Sequence, residues 1–185
     1  MSAVWLASGS PRRRELLTWS GIAVDVHPTG VPEEREPGED PVAWARRLAL
    51  AKATHAQTDR VVVAADTVVH REARVFDKPV DRTEAASHLT ALAGGWHAVT
   101  TGVCVRRGDH HHVFHVTTEV RFRALSESEI ASYLATGEAD DKAGAYGIQG
   151  RGGAFVAELR GSWTNVMGLP VEETLAAIRA RVDAS

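Results

Sequence analysis

The sequence predicts an α/β fold built on a mixed sheet. Three observations carry that reading. Short β-branched apolar runs alternate with stretches of helical periodicity. Glycine, proline or a capping residue separates one from the next. One central block breaks the alternation and reads as two strands around a turn, so the sheet is not purely parallel.

Val4-Trp5-Leu6-Ala7 is the first buried strand, and Ser8-Gly9-Ser10-Pro11 breaks it. Ser10 suits an N-cap and Pro11 the first helical position. A helix follows over Arg12 to Trp19, with Leu16 and Leu17 inward, and Gly21 ends it. Ile22 to Val26 is a weaker strand, and Pro28 to Pro41 a polar loop rich in glutamate. Pro41 opens a second helix, where Val42, Ala45, Leu48, Ala49 and Lys52 recur on one face. Val61 to Ala65 is continuously apolar, as in a strand covered on both faces; Asp66 and Thr67 interrupt it before Val68-Val69 resumes.

Thr83 starts a helix through Leu92, stopped by Gly94-Gly95. Ala98 to Val105 and His112 to Arg123 pair around Arg107-Gly108-Asp109. Ser126 with Glu129 has the spacing of a capping box for a helix to about Ala135. Asp140 to Gly153 is glycine-rich and turn-like, Phe155 to Leu159 a strand, and Val171 to Val182 the last helix.

Composition narrows the function classes. The 185 residues carry 21 Lys plus Arg against 24 Asp plus Glu, a net charge of −3, and are 44% hydrophobic. These are proportions of a folded chain able to bury its own core, as one domain over residues 1–185 or one domain with two lobes. Cys104 is the lone cysteine, so no intrachain disulfide forms and a reducing, cytoplasmic home is expected. No window approaches the roughly 20 apolar residues of a membrane span, and the N-terminus reads as a strand rather than a signal peptide. The acidic balance speaks against nucleic acid as a partner.

The corner from Leu6 to Leu17 carries the most chemistry. A strand feeds a small-residue turn and then a helix N-terminus, whose first N–H groups and dipole favour an anion. Ser8 and Ser10 add hydroxyls, and Arg12, Arg13 and Arg14 add forked donors suited to phosphate. Successive helical residues lie about 100° apart, so the three arginines cannot share one ligand, and Arg14 is expected to face elsewhere. A basic first turn has the wrong sign for the helix dipole, which favours an external anion over a merely solvated turn.

Asp66, expected at a strand end, suits a divalent metal or an oriented water. Its alternative is a structural acid capping the next loop. Lys78, in Phe76-Asp77-Lys78-Pro79, and Glu33, in the proline-rich loop, are candidates for phosphate and metal, or simply surface charges. Gln149 sits in a loop with three glycines and a tyrosine and can both donate and accept, as a base edge requires. His110, His111, His112 and His115 read as solvated turn residues rather than a metal set. Cys104 reads as core.

Taken in order, these blocks resemble the Maf family of nucleotide pyrophosphatases, the septum-formation-inhibitor-like proteins. The blocks are Leu-Ala-Ser-Gly-Ser-Pro-Arg-Arg at 6–13, Glu33 before Pro37-Gly38-Glu39, Leu48 to Ala53, Ala65-Asp-Thr-Val68 and Asp77-Lys-Pro79. Gly95-Trp-His97 with Thr101-Gly102, Asp141 to Gln149, and Gly161 to Pro170 complete them.

The resemblance implies an elongated mixed sheet with flanking helices and two lobes around a deep cleft, similar to inosine triphosphate pyrophosphatases. It implies hydrolysis of a nucleoside triphosphate to monophosphate and diphosphate with Mg²⁺, Mn²⁺ or Co²⁺. Asp66 would accept the proton; Ser8, Arg12, Arg13, Lys52 and Lys78 would line the triphosphate site; Glu33 and Asp66 would serve the metal. Gly-Ser-Pro-Arg-Arg together with Gly-Ile-Gln resembles the dTTP/UTP type, with Arg12, Thr67 and Gln149 at positions of substrate choice. A homodimer is implied as well. The chain departs from the family where Glu34-Arg35-Glu36 follows the loop glutamate, adding charge beside the metal position. The competing class is a nucleotide-binding regulator of septum formation without essential catalysis. Asp66, Glu33 and Lys78 weigh against it, since a pure binder gains little from an acid beside a triphosphate.

Overall fold

The computed structural model describes residues 3–182. Strand β1 (Val4–Leu6) is followed by α1 (Pro11–Trp19), β2 (Val24–Val26), α2 (Pro41–His55) and β3 (Val62–Arg71). Next come β4 (Arg74–Phe76), α3 (Arg82–Leu92) and the long strands β5 (Trp96–Arg107) and β6 (His110–Phe122). The chain closes with α4 (Glu127–Leu134), β7 (Val156–Arg160), α5 (Trp163–Met167) and α6 (Val171–Val182). Seven strands form one mixed sheet in the order β2-β1-β3-β5-β6-β7, with β4 also on β3. β1 is parallel to both β2 and β3, whereas β4 on β3 and β7 on β6 are antiparallel. The α/β reading with a mixed sheet therefore holds.

The chain divides into two compact units, one of Met1–Thr67, Thr101–Val116 and Gly168–Ser185, the other of Val68–Thr100 and Thr117–Met167. In the first unit, α1 connects β1 to β2 on one side and α2 carries the chain from β2 back past β1 to β3. Right-handed crossovers running in opposite directions put α1 and α2 on opposite faces of the parallel strands. Both faces of β3 are thereby covered, and Val62 to Ala65 are fully buried.

Helix α2 starts where Asp40 accepts hydrogen bonds from the Val42 and Ala43 amides, with Pro41 at the first helical position. Ala45, Leu48, Ala49 and Lys52 are buried as expected, Val42 only partly, and Trp44 joins them. The helix packs unusually close to the sheet at Gly102. A Cβ there would stand 2.4 Å from the Ala45 carbonyl carbon and oxygen, so the position has no room for any side chain. Arg106 reaches from β5 to the carbonyls of Ala53 and Ala56 and caps the end of α2. Cys104 is fully buried as expected, and burial pushes its thiol up to about 11.

In the second unit, Asp81 rather than a residue at Thr83 caps α3, accepting from the Glu84 amide. Arg71 donates to the carbonyls of Ala91 and Trp96 at the other end of that helix. The β3–β4 hairpin was not foreseen, because its turn lacks a glycine or asparagine; Glu72 itself adopts φ 53°. The capping box of Ser126 and Glu129 forms as expected. His97 is buried, bonds Tyr146 Oη through Nε2 at 2.8 Å and meets Phe122 edge-on. Burial lowers its pKa to about 3, and the charges of Arg71 and His70 add to the effect.

Two expectations need correction. β3 is one ten-residue strand that passes through Asp66 and Thr67 without a break. His110, His111, His112 and His115 are solvent-exposed as expected, but β6 begins at His110 rather than His112, so all four are strand residues and the turn is Gly108-Asp109, with Gly108 at φ 54°. Among the described residues no cluster of three or more His, Cys, Asp or Glu could hold a metal, and no helix is long and apolar enough to cross a membrane.

Replacing Gly102 by alanine is expected to cost roughly 3 kcal/mol of unfolding free energy in urea titrations, since helix and strand backbones must separate. His97 gives a pH signature. The unfolded imidazole takes a proton near 6.5, the folded one only near 3. The unfolded chain therefore binds more protons in that window, and the His97 contribution is whole above the window and lost as pH falls through it. Between pH 6 and pH 4 the parent should lose up to about 1.4 kcal/mol per pH unit more than His97→Gln.

Candidate functional site

Register makes the site. β1 pairs with β3 only through Trp5↔Val62 and Leu6↔Val63, whereas β3 runs on to Arg71. Asp66 and Thr67 therefore stand beyond the carboxyl end of their neighbour. The order β2-β1-β3 also reverses direction at β1, and open α/β sheets bind ligands at such switch points. Asp66 reaches an accessible position because β1 stops, although its own strand continues; its side chain is 13% exposed.

Successive residues of a strand point to opposite faces, so Asp66 and Thr67 serve different clusters. On the α2 face, the Lys52 ammonium is buried and donates to Asp66 Oδ1 at 2.7 Å. It also pairs with Glu33 Oε1 at 2.5 Å. One ammonium thus holds two carboxylates from separate segments. The loop bearing Glu33 is braced in turn. Arg47 of α2 makes a bidentate bond to Glu39, 2.7 Å on each arm, and donates to the Glu34 carbonyl at 3.0 Å. Arg35, within the divergent Glu34-Arg35-Glu36 stretch, bonds the Glu39 carbonyl at 2.8 Å through Nε. Of that stretch, Arg35 and the Glu34 carbonyl take part in the loop's own bracing, and Glu36 lies 3.9 Å from Arg47.

On the α1 face, Arg13 is buried among three acceptors. Its Nε donates to the Gly168 carbonyl at 2.8 Å, Nη1 to Ser8 Oγ at 2.9 Å and Nη2 to Thr67 Oγ1 at 3.0 Å. Burial pulls the Arg13 pKa below its ordinary value; Asp66 and then Glu33 oppose that shift, and Arg12 reinforces it. Thr67 Oγ1 also lies 3.0 Å from Thr101 Oγ1. Ser10 flanks α1 in extended conformation but forms no side-chain cap; its amide donates to Ser8 Oγ at 3.3 Å. With Arg13 and this amide on its lone pairs, the Ser8 hydroxyl has its proton to direct at an anion. No acidic residue occupies the first turn of α1, so its N-terminal dipole is not neutralised locally. Arg12 is half-buried and Arg14 exposed, the division that helical geometry required.

Ser8, Arg13 and Thr67 are thus brought together, as are Glu33, Lys52 and Asp66. Lys78 and Gln149 belong to the second unit. Lys78 is exposed in the connection from β4 to α3, and Gln149 is exposed at the tip of the turn 148–150. Sequence reasoning assigned no role to Gly168 or Thr101. Gly168 takes φ +124° and turns its carbonyl onto Arg13. The only signal for either was membership in a recurring block.

At its switch point the open α/β sheet brings together a helix N-terminus, a buried guanidinium and a carboxylate–ammonium–carboxylate group, groups of the kind that suit an anion and a proton transfer. The chain belongs to the Maf-like protein family, whose model matches residues 3–181. A protein of Anaeromyxobacter dehalogenans (strain 2CP-C) named dTTP/UTP pyrophosphatase is 51% identical over 178 residues, 94% of this chain and 91% of its own length. Proteins of the same name from Vibrio cholerae serotype O1 (strain ATCC 39315 / El Tor Inaba N16961) and Chromobacterium violaceum (strain ATCC 12472) are 47% and 45% identical. These matches cover 94% and 92% of this chain and 95% and 90% of the relatives.

Arg13→Lys is expected to destabilise the fold by roughly 2–3 kcal/mol, because one ammonium cannot replace the planar fork toward three separated acceptors. A thermal or urea unfolding series checks this, and an unchanged midpoint would remove Arg13 as the brace of this corner.

Proposed function

We propose that this chain hydrolyses dTTP and UTP to the nucleoside monophosphate and pyrophosphate. The observation that carries the reading is the convergence of Asp66, Lys52 and Glu33 beside the α1 N-terminus, at the open end of β1. The family and the names of its relatives point to the same chemistry.

A triphosphate carries up to four negative charges, so most of the catalytic task is charge neutralisation and alignment. In this reading the amides of the α1 N-terminus, Ser8 and Arg12 hold phosphate oxygens, and Lys78 adds a further cation. Arg13 acts from behind, holding Ser8 and Thr67 in place with donors it has already committed to protein. Asp66 orients the attacking water and takes its proton as the oxygen closes on the α-phosphorus and the bond to pyrophosphate breaks. Lys52 holds the Asp66 carboxylate in position through Oδ1. Gln149 meets the pyrimidine edge, with Arg12 and Thr67 contributing to substrate choice.

The donor set also fits a hard divalent cation. Asp66 and Glu33 are drawn together by the Lys52 ammonium that both contact, and no third metal-type side chain joins them among the described residues. That is the pattern of an ion such as Mg²⁺ that keeps waters and takes substrate oxygens. Asp66 and Glu33 would hold it, and when bound it supplies charge neutralisation and a more acidic water. The same reading makes the chain a single functional domain, working in the cytoplasm as a homodimer. The buried thiol of Cys104 suits a reducing compartment.

Asp66→Asn should fold normally, since Lys52 keeps Glu33 as a partner, and should lose at least about 10²-fold in pyrophosphate release from dTTP. Near-parental turnover would show that Asp66 is not the proton acceptor. Chelation with EDTA should abolish release, and Mg²⁺, Mn²⁺ or Co²⁺ should restore it.

A further inference from the structure

The loop that carries Gln149 is shaped by a carboxylate outside it. Glu138 lies just after α4 and is partly buried. Its Oε2 accepts from the Arg151 amide at 3.0 Å. Its Oε1 accepts from the Gly152 amide at 3.3 Å and from the Tyr133 hydroxyl at 3.1 Å. Tyr133 Oη in turn accepts from the Gly147 amide at 3.1 Å. Both stems of the turn 148–150 are therefore tied to one carboxylate, one directly and one through Tyr133. Lys142 closes the base of the loop by donating to the Glu138 carbonyl at 2.7 Å and to Asp141 at 2.6 Å.

The glycines of this loop make sense around that group. Gly150 has φ −111°, which any residue can adopt, so backbone conformation does not require glycine there. Close approach does. A Cβ at Gly150 would stand 2.3 Å from Glu138 Oε1 and 2.5 Å from its Cδ. A Cβ at Gly147 would stand 3.2 Å from the same oxygen, and one at Gly152 3.0 Å from Tyr133 Oη. The backbone wraps the carboxylate as a nest of N–H donors wraps an anion. Amide bonds to a charged acceptor are stronger than neutral ones, and they give the turn a fixed orientation without side-chain packing.

We propose that Glu138 is a positioning residue for base selection: it fixes the turn that presents Gln149 and so sets the enzyme's preference among nucleotide bases. The proposal rests on the reading in which Gln149 meets the pyrimidine edge. A carboxamide discriminates bases only when both its donor and its acceptor are held in register, so loosening the turn removes selectivity while the phosphate chemistry continues. Asp66, Lys52 and Glu33 have their mutual contacts within the first unit and do not use Glu138.

Amide hydrogen exchange and steady-state kinetics on the full chain test this, using the near-isosteric Glu138→Gln, with Gly150→Ala as a second route to displacing the carboxylate. In both variants the Arg151 and Gly152 amides should exchange at least about tenfold faster than in the parent. KM for UTP should rise several-fold with kcat within about twofold, and the UTP-to-CTP ratio of kcat/KM should fall to that of Gln149→Ala. The double variant Glu138→Gln/Gln149→Ala should lose no further selectivity. Unchanged exchange overturns the proposal, and so does a uniform fall in kcat for both nucleotides at an unchanged ratio, the mark of a merely structural role. An unchanged ratio in Gln149→Ala alone overturns the base-reading assignment, a failure separable from that of Glu138 because the exchange rates report the loop directly.

Discussion

The site depends on one difference in strand length. β1 ends at Leu6 opposite Val63, and β3 continues to Arg71. Had β1 extended four residues further in the same register, Asp66 and Thr67 would both have been covered by a paired neighbour. Instead the chain leaves β1 through Ser8-Gly9-Ser10 into α1, and the freed stretch of β3 faces the helix N-terminus. The alternation of a strand does the rest, giving Asp66 to α2 and Thr67 to α1. A single two-residue step thus places the Lys52–Asp66–Glu33 group and the Arg13–Ser8–Thr67 group on one stretch of backbone.

Both clusters solve the same electrostatic problem. Lys52 and Arg13 are buried cations, which are costly unless polar partners surround them. Lys52 is matched by two carboxylates, Arg13 by a carbonyl and two hydroxyls. The difference suits different tasks. The Lys52 group joins two carboxylates from separate segments through one ammonium. The Arg13 group stands in a helix first turn that carries no acidic residue of its own, the charge pattern that suits an anion.

Much of the fold was legible. Helices α1, α2 and α4 announced themselves through capping signals and 3.6-residue periodicity, which are local properties. The extents of β3, β5 and β6 were less legible. Asp66 and Thr67 looked like an interruption because a carboxylate inside an apolar strand is unfavourable until Lys52 pairs it. The β3–β4 hairpin was hidden because Glu72 accepts a left-handed conformation without a glycine to signal it. Gln149 and its glycines could be read as a binding loop, but Glu138 could not be singled out, since nothing in its neighbours distinguishes it from a surface acid.

By itself, then, the sequence determined the α/β alternation, the anion-ready turn at Ser8 to Arg13 and the candidate acid, because caps, periodicity and charge sign act over a few residues. Only tertiary structure decided which side chains meet: Lys52 with both Glu33 and Asp66, Arg13 with Ser8, Thr67 and the Gly168 carbonyl, and Glu138 with the amides beyond Gln149. Those contacts join residues up to 155 positions apart. Strand register and helix packing set their geometry, and neither is encoded at any single position.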